Sequence, residues 1–468
     1  MIQSFDNIFD FDRKIVLFAF LIAFSAVIFS SYLFLVVPLI ILCGILFMIG
    51  KKLIYPFFVI IFIALPGDIG ESARTAINIV GSLTLVFLLL KKYQFHFDQY
   101  VKIDRVLFRL ILLILGSLIL STLLSANVFV GVKEVLRQIV FFIIFYLFYS
   151  EFSERGKVFN VLISLVVSGV IVSLGIAYDV FSSGMQLIYL ELAGLGKSGG
   201  FYKNVSAAGG ILAISLPLAV SFLSLKKGNE KWIKLVLLAS ILLQAIALLA
   251  TNSRGAILSV VVSLVLFSYF LSPKKFRKVF IFIALFAFLI LLLPTTSEVI
   301  SLYFRTGRIF ANTRYLIWQI AFSIISSNLF FGIGPGMFKY YMYPNLPVML
   351  GSWNESQIAY VYKFSGGGQA HNFFLMQTSE LGVVGLVVTL LLIAYVLKTS
   401  FRLMQAVRCV SHQYYILSNI IFSIFIGLLV RSFFEATGIL SNGWLSRDLP
   451  FWLLFLSVLI IKSKVEKH

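Results

Sequence analysis

Acidic residues, histidines and cysteines are scarce in this 468-residue sequence, and each scarcity narrows what the protein can be. Only 12% of the residues are charged, against about 25% in soluble domains, and 60% are hydrophobic. The two cysteines, Cys43 and Cys409, provide neither a disulfide framework nor a metal-binding spacing. Apolar runs of about 20 residues recur along the chain. The composition therefore predicts an all-α, polytopic helical bundle in which residues 1–468 form one integral membrane domain.

Basic residues outnumber acidic residues two to one, with 38 lysines and arginines against 19 aspartates and glutamates. A net charge of +19 is also found in nucleic-acid-binding proteins. Here the basic residues concentrate in short loops on every second turn, such as Lys51 with Lys52, residues 226–231 and residues 274–278. Because the positive-inside rule places such loops in the cytoplasm, we expect both termini there, membrane lipids around the chain and no nucleic-acid partner.

Hydropathy predicts about 12–14 membrane spans. The candidate spans lie near residues 15–30, 32–49, 53–66, 76–90, 106–124, 134–150, 158–180, 205–224, 232–250, 256–271, 279–293, 372–396, 414–432 and 450–462. Residues 294–370 form the longest segment between spans and fall on the outer side, where a loop of this length is usually functional. Residues 314–325 have helical spacing and predict an amphipathic helix lying on the outer leaflet, with Trp318 at the headgroups.

The predicted topology places one of the four histidines, His371, alone on the outer face. The other three, on the cytoplasmic side, are His96, His412 and His468. His371 follows the glycine run at 366–368 and opens the apolar helix predicted over 372–396. A titratable imidazole at the mouth of a membrane helix points to a functional site, but a histidine that caps or anchors the helix explains the same position. On residue type alone both interpretations stand.

The helix that follows His371 carries a stripe of small side chains. At 100° per residue, one face holds His371, Leu375, Thr378, Gly382 and Gly385. Thr378 and Gly382 have the spacing that lets a neighbouring helix approach closely, so His371 is expected to point into the bundle. Glu380 lies half a revolution away and is not expected to pair with His371. Its burial requires another partner and indicates a structural role.

The turn at residues 251–256, TNSRGA, joins two predicted spans on the outer side. Thr251, Asn252 or Ser253 could be the N-cap of the next helix. Arg254 in the first helical turn opposes the helix dipole at a cost of about 0.3–1 kcal/mol, which makes sense if an anion binds there. The alternative is an interfacial anchor, and the Ser-Arg-Gly context favours the anion site.

More cations lie on the same predicted face. Arg314 is the strongest of them, and the secondary candidates for the site are Arg305, Arg308, Lys203, Asn204, Arg431 and Glu435. No acidic cluster on this face would hold a divalent metal, so neither a metal nor another cofactor is expected. One histidine among several cations suits a substrate with a phosphate-like group and a reaction that needs one base.

The segment that begins at His371 resembles the signature of the O-antigen ligase family. That signature is His, then Asn, Ser or Gln, nine residues, Gly, two residues, and Gly, Thr or Tyr, and it is matched in full by His371, Asn372, Gly382 and Gly385. The turn at 253–256, the loop at 199–209 and the Arg314 segment that leads to the glycine turn GIGPGMF are similar to that family as well. The resemblance covers roughly residues 200–400 by motif and the whole chain by topology.

The resemblance implies a metal-independent, inverting glycosyl transfer on the periplasmic face of the bacterial inner membrane. The donor would be a glycan on undecaprenyl diphosphate, and the acceptor in ligases is the lipid A–core sugar. His371 matches the family's catalytic histidine, and Arg254 and Arg314 match its essential arginines. Fourteen candidate spans exceed the twelve usual for ligases, so a repeat-unit polymerase of the same superfamily is the alternative.

The residue types support this chemistry independently of the resemblance. An imidazole, whose pKa in water is about 6.5, can take a proton from an acceptor hydroxyl, and arginines can neutralise a departing diphosphate. A transporter or flippase of a lipid-linked glycan is the less favoured interpretation. Transporters carry charged residues deep in the bundle and often have related halves with broken helices. In this sequence the distinctive charges cluster at one face.

Overall fold

The structure is a computed structural model of the chain. It describes residues 54–64, 78–79, 81–87, 103–155, 158–182, 198–200, 202, 204–225, 231–273, 313–346 and 368–466. The predicted spans near 15–30, 32–49 and 279–293 lie outside the described residues, as does part of the long loop at 294–370.

Every regular element in the described residues is an α-helix, which confirms the all-α prediction. The helices are α1 (Ile54–Ala64), α2 (Arg105–Leu123), α3 (Val128–Arg155), α4 (Val158–Ser182), α5 (Val205–Leu225), α6 (Lys231–Ala250), α7 (Arg254–Leu271), α8 (Thr313–Ser327), α9 (Phe338–Tyr341), α10 (Phe373–Val407), α11 (His412–Ser432) and α12 (Leu445–Val465). Seven of them are long and apolar enough to cross a membrane: α2, α4, α5, α6, α7, α10 and α11. The polytopic bundle is thereby confirmed, while the total of about 12–14 spans stays a prediction.

The helix that starts after His371 extends further than the apolar run predicts. α10 reaches Val407, well past the predicted end at residue 396. Its last turns carry Lys398 and Arg402, which hydropathy excludes from a span although neither residue breaks a helix. The chain turns only before Ser411, whose hydroxyl caps α11 by accepting a hydrogen bond from the backbone N–H of Tyr414.

Close packing of α7 against α11 fixes the end of the bundle where His371 lies. A Cβ on Gly427 of α11 would overlap Ser263 and would lie 2.5 Å from the carbonyl oxygen of Ser259, so the two helices touch through their backbones. Asn419 adds a hydrogen bond of 3.1 Å from its Nδ2 to the carbonyl of Phe267. Such small-residue seams are characteristic of helix packing in membranes. The antiparallel seam brings the N-terminus of α7 beside the C-terminus of α11.

The long helix α10 is broken at Gly382, where φ is 67° and ψ is −170°. The carbonyls freed at Ser379 and Glu380 accept hydrogen bonds of 3.0 and 2.9 Å from the N–H groups of Ile333 and Gly334. On the other side of the break, the freed N–H of Val383 donates to the carbonyl of Leu329 at 2.8 Å. The prediction that Gly382 admits a neighbouring helix is therefore wrong, because the backbone that approaches it belongs to the segment at residues 329–334.

A second, smaller core lies at the His371 end of the bundle. Its buried members are Leu316, Ile317, Ile320, Ala321, Ile324, Ile333, Met337, Phe338, Met342 and Ala370. The helical spacing predicted over residues 314–325 agrees with α8. The structure differs from the prediction in what this apolar face contacts. The face packs on α9 and on the turn that contains Ile333 and Met337, rather than on a leaflet. A hydropathy pattern is the same for either partner, so the sequence could not distinguish them.

Candidate functional site

His371 occupies a strained position that directs its side chain. Its φ of 47° lies in the left-handed region, which costs a non-glycine residue about 1–3 kcal/mol and is found mostly at functional sites. The next residue, Asn372, caps α10 by accepting a hydrogen bond of 3.0 Å from the N–H of Leu375. Its Nδ2 donates to the carbonyl of Phe433 at 3.1 Å. Asn372 thus ties the histidine turn to the chain that leaves α11.

Glu435, on the chain that leaves α11, is the carboxylate around which the site assembles. It is 3% exposed, and its Oε1 accepts hydrogen bonds from Ser206 Oγ at 2.8 Å and from Arg314 Nη2 at 3.0 Å. Its other oxygen, Oε2, lies 3.5 Å from Nδ1 of His371. That separation is an ion-pair distance rather than a short hydrogen bond, and no closer partner of Nδ1 lies among the described residues. Residues far apart in sequence therefore meet at one carboxylate.

Arg431 lies four residues before Glu435, near the end of α11, and supports the backbone around the site. Its guanidinium is 3% exposed and donates from Nη1 to the carbonyl of Thr437 at 2.7 Å and from Nη2 to the carbonyl of Ser206 at 2.8 Å. A Cβ on Gly210 would lie 2.8 Å from Nη2, so α5 leaves just enough room for the guanidinium. Arg431 therefore fixes the positions of Ser206 and Thr437.

The charges around Glu435 keep it ionised. Burial alone raises the pKa of this carboxyl, but contact with His371 and the positive charges of Arg431 and Arg314 outweigh burial and lower the pKa to about 2. A buried carboxylate is stable only when it is paired in this way. Glu435 is therefore an anion at any physiological pH. It can orient the imidazole of His371 without taking up a proton itself.

The N-terminus of α7 abuts the same carboxylate. A Cβ on Gly255 would lie 3.9 Å from Cγ of Glu435. Ser253 is the N-cap of α7, but its side chain makes no capping hydrogen bond, and its Oγ is buried without a hydrogen-bond partner in the described part of the chain. The same holds for Oδ1 of Asn252, which has a φ of 49°. Beside Arg254, this helix end has the polar groups of an anion site.

The remaining predicted residues fall into two groups. Lys203, Arg305 and Arg308 lie outside the described residues. Asn204 is described, and its Oδ1 accepts from the N–H groups of Ser206 and Ala207 at 3.0 and 3.2 Å, so this amide caps α5.

Glu380 does not pair with His371, as predicted. Its partners are Asn442 Nδ2 at 3.2 Å and the N–H of Phe338 at 3.4 Å.

Ser206 is the residue that sequence reasoning missed. It reaches Glu435 only because the loop at 199–209 and α11 meet in the fold, and an isolated serine gives no signal of this in the sequence. Among the described residues, no group of three or more His, Cys, Asp or Glu side chains has the arrangement of a metal site.

Part of the sequence matches a known family. Residues 238–390 match the family model described as O-Antigen ligase. The resemblance seen in the sequence is thereby confirmed for this stretch, which contains Arg254, Arg314 and His371. Glu435 and Ser206 lie outside the O-antigen ligase match. The match therefore does not identify the carboxylate that Arg314 and His371 both contact. No curated protein matches the chain.

Proposed function

We propose that this protein is a membrane glycosyltransferase of the O-antigen ligase type. It would move a glycan from undecaprenyl diphosphate to a sugar hydroxyl of lipid A–core on the periplasmic face of the bacterial inner membrane. The observation that carries the proposal is the partly exposed imidazole of His371 beside the buried anion Glu435, with Arg314 on the same carboxylate. The family match over residues 238–390 supports it.

In the proposed reaction His371 is the general base. Glu435 faces Nδ1 and favours the tautomer with its proton there, which leaves Nε2 to take the proton of the acceptor hydroxyl. The hydroxyl oxygen bonds to the anomeric carbon from the side opposite the diphosphate. The bond between that carbon and the diphosphate oxygen breaks, and its electron pair leaves with the diphosphate. A single displacement of this kind inverts the anomeric centre.

Arg254 and Arg314 would hold the diphosphate. Arg314 contacts Glu435 directly, and Arg254 precedes Gly255, where a Cβ would lie 3.9 Å from Cγ of Glu435. Guanidinium groups and free helix N–H groups stabilise the charge that develops on a leaving phosphate. Because these cations do what a divalent metal does elsewhere, EDTA is expected to leave transfer by the purified protein intact. Activity that EDTA removes and a divalent ion restores would contradict this.

A transporter of lipid-linked glycans is not favoured, although broken helices are common in transporters. In the described residues, the segment at 329–334 fills the break at Gly382 and takes up the backbone groups that the break frees.

A polymerase that joins repeat units would use the same base and the same donor, and would differ only in its acceptor. The lipopolysaccharide gel pattern of a strain without this gene distinguishes the two. A ligase predicts long chains that stay on the lipid carrier, with no transfer to lipid A–core. Single repeats on lipid A–core would instead show a polymerase, and an unchanged pattern would contradict both.

A further inference from the structure

A cluster of cations around one indole lies at the His371 end of the bundle. Trp444, just before α12, has the guanidinium of Arg137 4.7 Å from its ring centroid and that of Arg447 4.8 Å from it. Lys133 and Lys339 belong to the same neighbourhood, because both act electrostatically on Glu134, the residue that pairs with Arg137. These five residues, Lys133, Arg137, Lys339, Trp444 and Arg447, are called the arginine–tryptophan cluster.

The backbone holds the cluster together. Gly443 has a φ of 74°, and a Cβ there would lie 2.6 Å from the carbonyl oxygen of Arg137, so α3 and the turn before α12 are in direct backbone contact. Trp444 follows immediately and is placed against Arg137 by this contact. The arrangement is therefore built by the fold rather than by two long side chains that happen to meet at a surface.

Exposed apolar side chains lie beside the cluster. On α3 the residues Val132, Leu136 and Val140 are 42%, 57% and 43% exposed. They recur every four residues and form an apolar stripe along the predicted span at 134–150. Lys133 and Arg137 each follow a member of this stripe by one residue, so they lie beside it at one end. Arginine and tryptophan side chains typically occupy this level, between lipid tails and headgroups.

Positive charge dominates the exposed part of the cluster. Glu134 is its one partly exposed carboxylate in the described structure and bonds Arg137 at 2.6 Å. The nearby acids Glu380 and Asp448 are buried and bonded within the protein, Glu380 to Asn442 and Asp448 to the N–H of Ser441. Four cations thus lie near one accessible carboxylate, and two of them, Arg137 and Arg447, lie against the same ring. Like charges at such distances repel unless an anion bridges them.

We propose that the arginine–tryptophan cluster binds the phosphate of a glycerophospholipid in the leaflet at the His371 end, with the lipid tails along the apolar stripe of α3. Guanidinium forks match phosphate oxygens, and each basic residue near an anionic membrane surface contributes about 1 kcal/mol. None of the five residues belongs to the proposed diphosphate site at Arg254 and Arg314, so the inference does not depend on the proposed function.

The test uses the purified, delipidated full chain in detergent with equal amounts of phosphatidylglycerol and phosphatidylcholine. Native mass spectrometry counts the lipids that remain bound. The wild type should retain phosphatidylglycerol preferentially. R137Q and R447Q should each weaken that retention about fivefold, the factor that corresponds to about 1 kcal/mol, and the double variant should lose the preference. The matched control is R402Q, which removes an exposed arginine from the opposite end of the bundle and should behave as the wild type.

Three results would overturn the proposal. The first is that the wild type shows no preference for phosphatidylglycerol. The second is that R402Q loses as much phosphatidylglycerol retention as R137Q and R447Q. The third is that undecaprenyl phosphate displaces phosphatidylglycerol through the same arginines, which would make the cluster a donor site. If the double variant fails to fold, the single variants decide, since retention in both equal to that of the wild type also contradicts the proposal.

Discussion

Among single residues, Glu435 links the largest number of elements at the site. It joins the first turn of α5, the first turn of α8 and the turn before α10 through Ser206, Arg314 and His371. Removing one partner of a buried ion pair usually costs more than the pair contributes, because the other charge is left unpaired. The neighbouring guanidinium of Arg431 makes this carboxylate necessary even in the absence of a substrate.

The first prediction concerns Glu435→Gln. An amide can still bond Ser206, but it cannot stabilise an imidazolium, so transfer should fall by about 10²–10⁴, the range for general-base catalysis. The pKa of Glu435 is lowered to about 2, so its contribution is complete above the ordinary carboxyl value and is lost only as the pH falls towards 2.

Glu435 therefore does not titrate between pH 5 and 8. If the transfer rate of the wild type falls on acidification in that range, the fall should therefore persist in the glutamine variant, as a pH–rate profile can show. The matched control is Glu466→Gln, at the exposed end of α12, which should keep full activity. A profile that loses its acidic limb in Glu435→Gln would assign that titration to Glu435 and contradict this account.

At the scale of elements, the break in α10 explains why two glycines stand in the signature. Gly382 adopts a conformation open essentially to glycine alone, and a Cβ there would overlap the carbonyl of Phe330. Gly385 is required for a different reason, because a Cβ there would overlap the side chain of Leu381, which the break turns towards it. The break thereby docks the segment after α8 onto α10 and places Arg314 near His371.

The second prediction is that Gly382→Ala loosens this docking. Backbone strain alone should cost about 1–3 kcal/mol, and the overlap with Phe330 adds to it. Thermal unfolding of the purified protein should show a lower midpoint, and transfer should fall with it. Gly116→Ala in α2 is the control, since nothing lies within 4 Å of a Cβ there and the change should be neutral or stabilising. Equal midpoints for the two variants would contradict the docking.

The sequence was sufficient to locate several helices and to single out candidate residues of the site, but not to predict the contacts between them. Apolar runs locate α5, α6, α7 and α11 because burial in lipid depends on composition alone. His371 and Arg254 stand out because ionisable groups at helix ends are costly without a function. The pairing of His371 with Glu435 spans 64 residues and depends on the turn after α11, and the break at Gly382 is filled by a segment far upstream. Neither contact leaves a periodic pattern.

At the scale of the whole molecule, function depends on which side of the membrane the His371 end faces. The proposed site, the small second core and the arginine–tryptophan cluster all lie at that end. The opposite end carries the exposed cations Lys398, Arg402 and Arg408 in the described residues. The positive-inside rule then predicts that the His371 end is periplasmic.

The third prediction tests this orientation. In a background with Cys43 and Cys409 replaced by serine, a cysteine at Lys339 should react with a membrane-impermeant thiol reagent added to intact spheroplasts. A cysteine at Arg402 should react only after the membrane is opened. Labelling of Arg402→Cys from outside, with Lys339→Cys protected, would show that the protein has the opposite orientation in the membrane. The proposed site would then not be periplasmic.

The measurement that tests the central claim most directly compares donor binding with transfer in one preparation of a His371 variant. His371→Asn is the sharpest change, because asparagine tolerates the left-handed backbone but cannot act as a base. Transfer should fall by about 10²–10⁴ while binding of the undecaprenyl-diphosphate donor is unchanged. His412→Ala, an exposed histidine at the opposite end, should retain both. Transfer that persists in His371→Asn, or donor binding that is lost together with transfer, would contradict the role of His371 as the base.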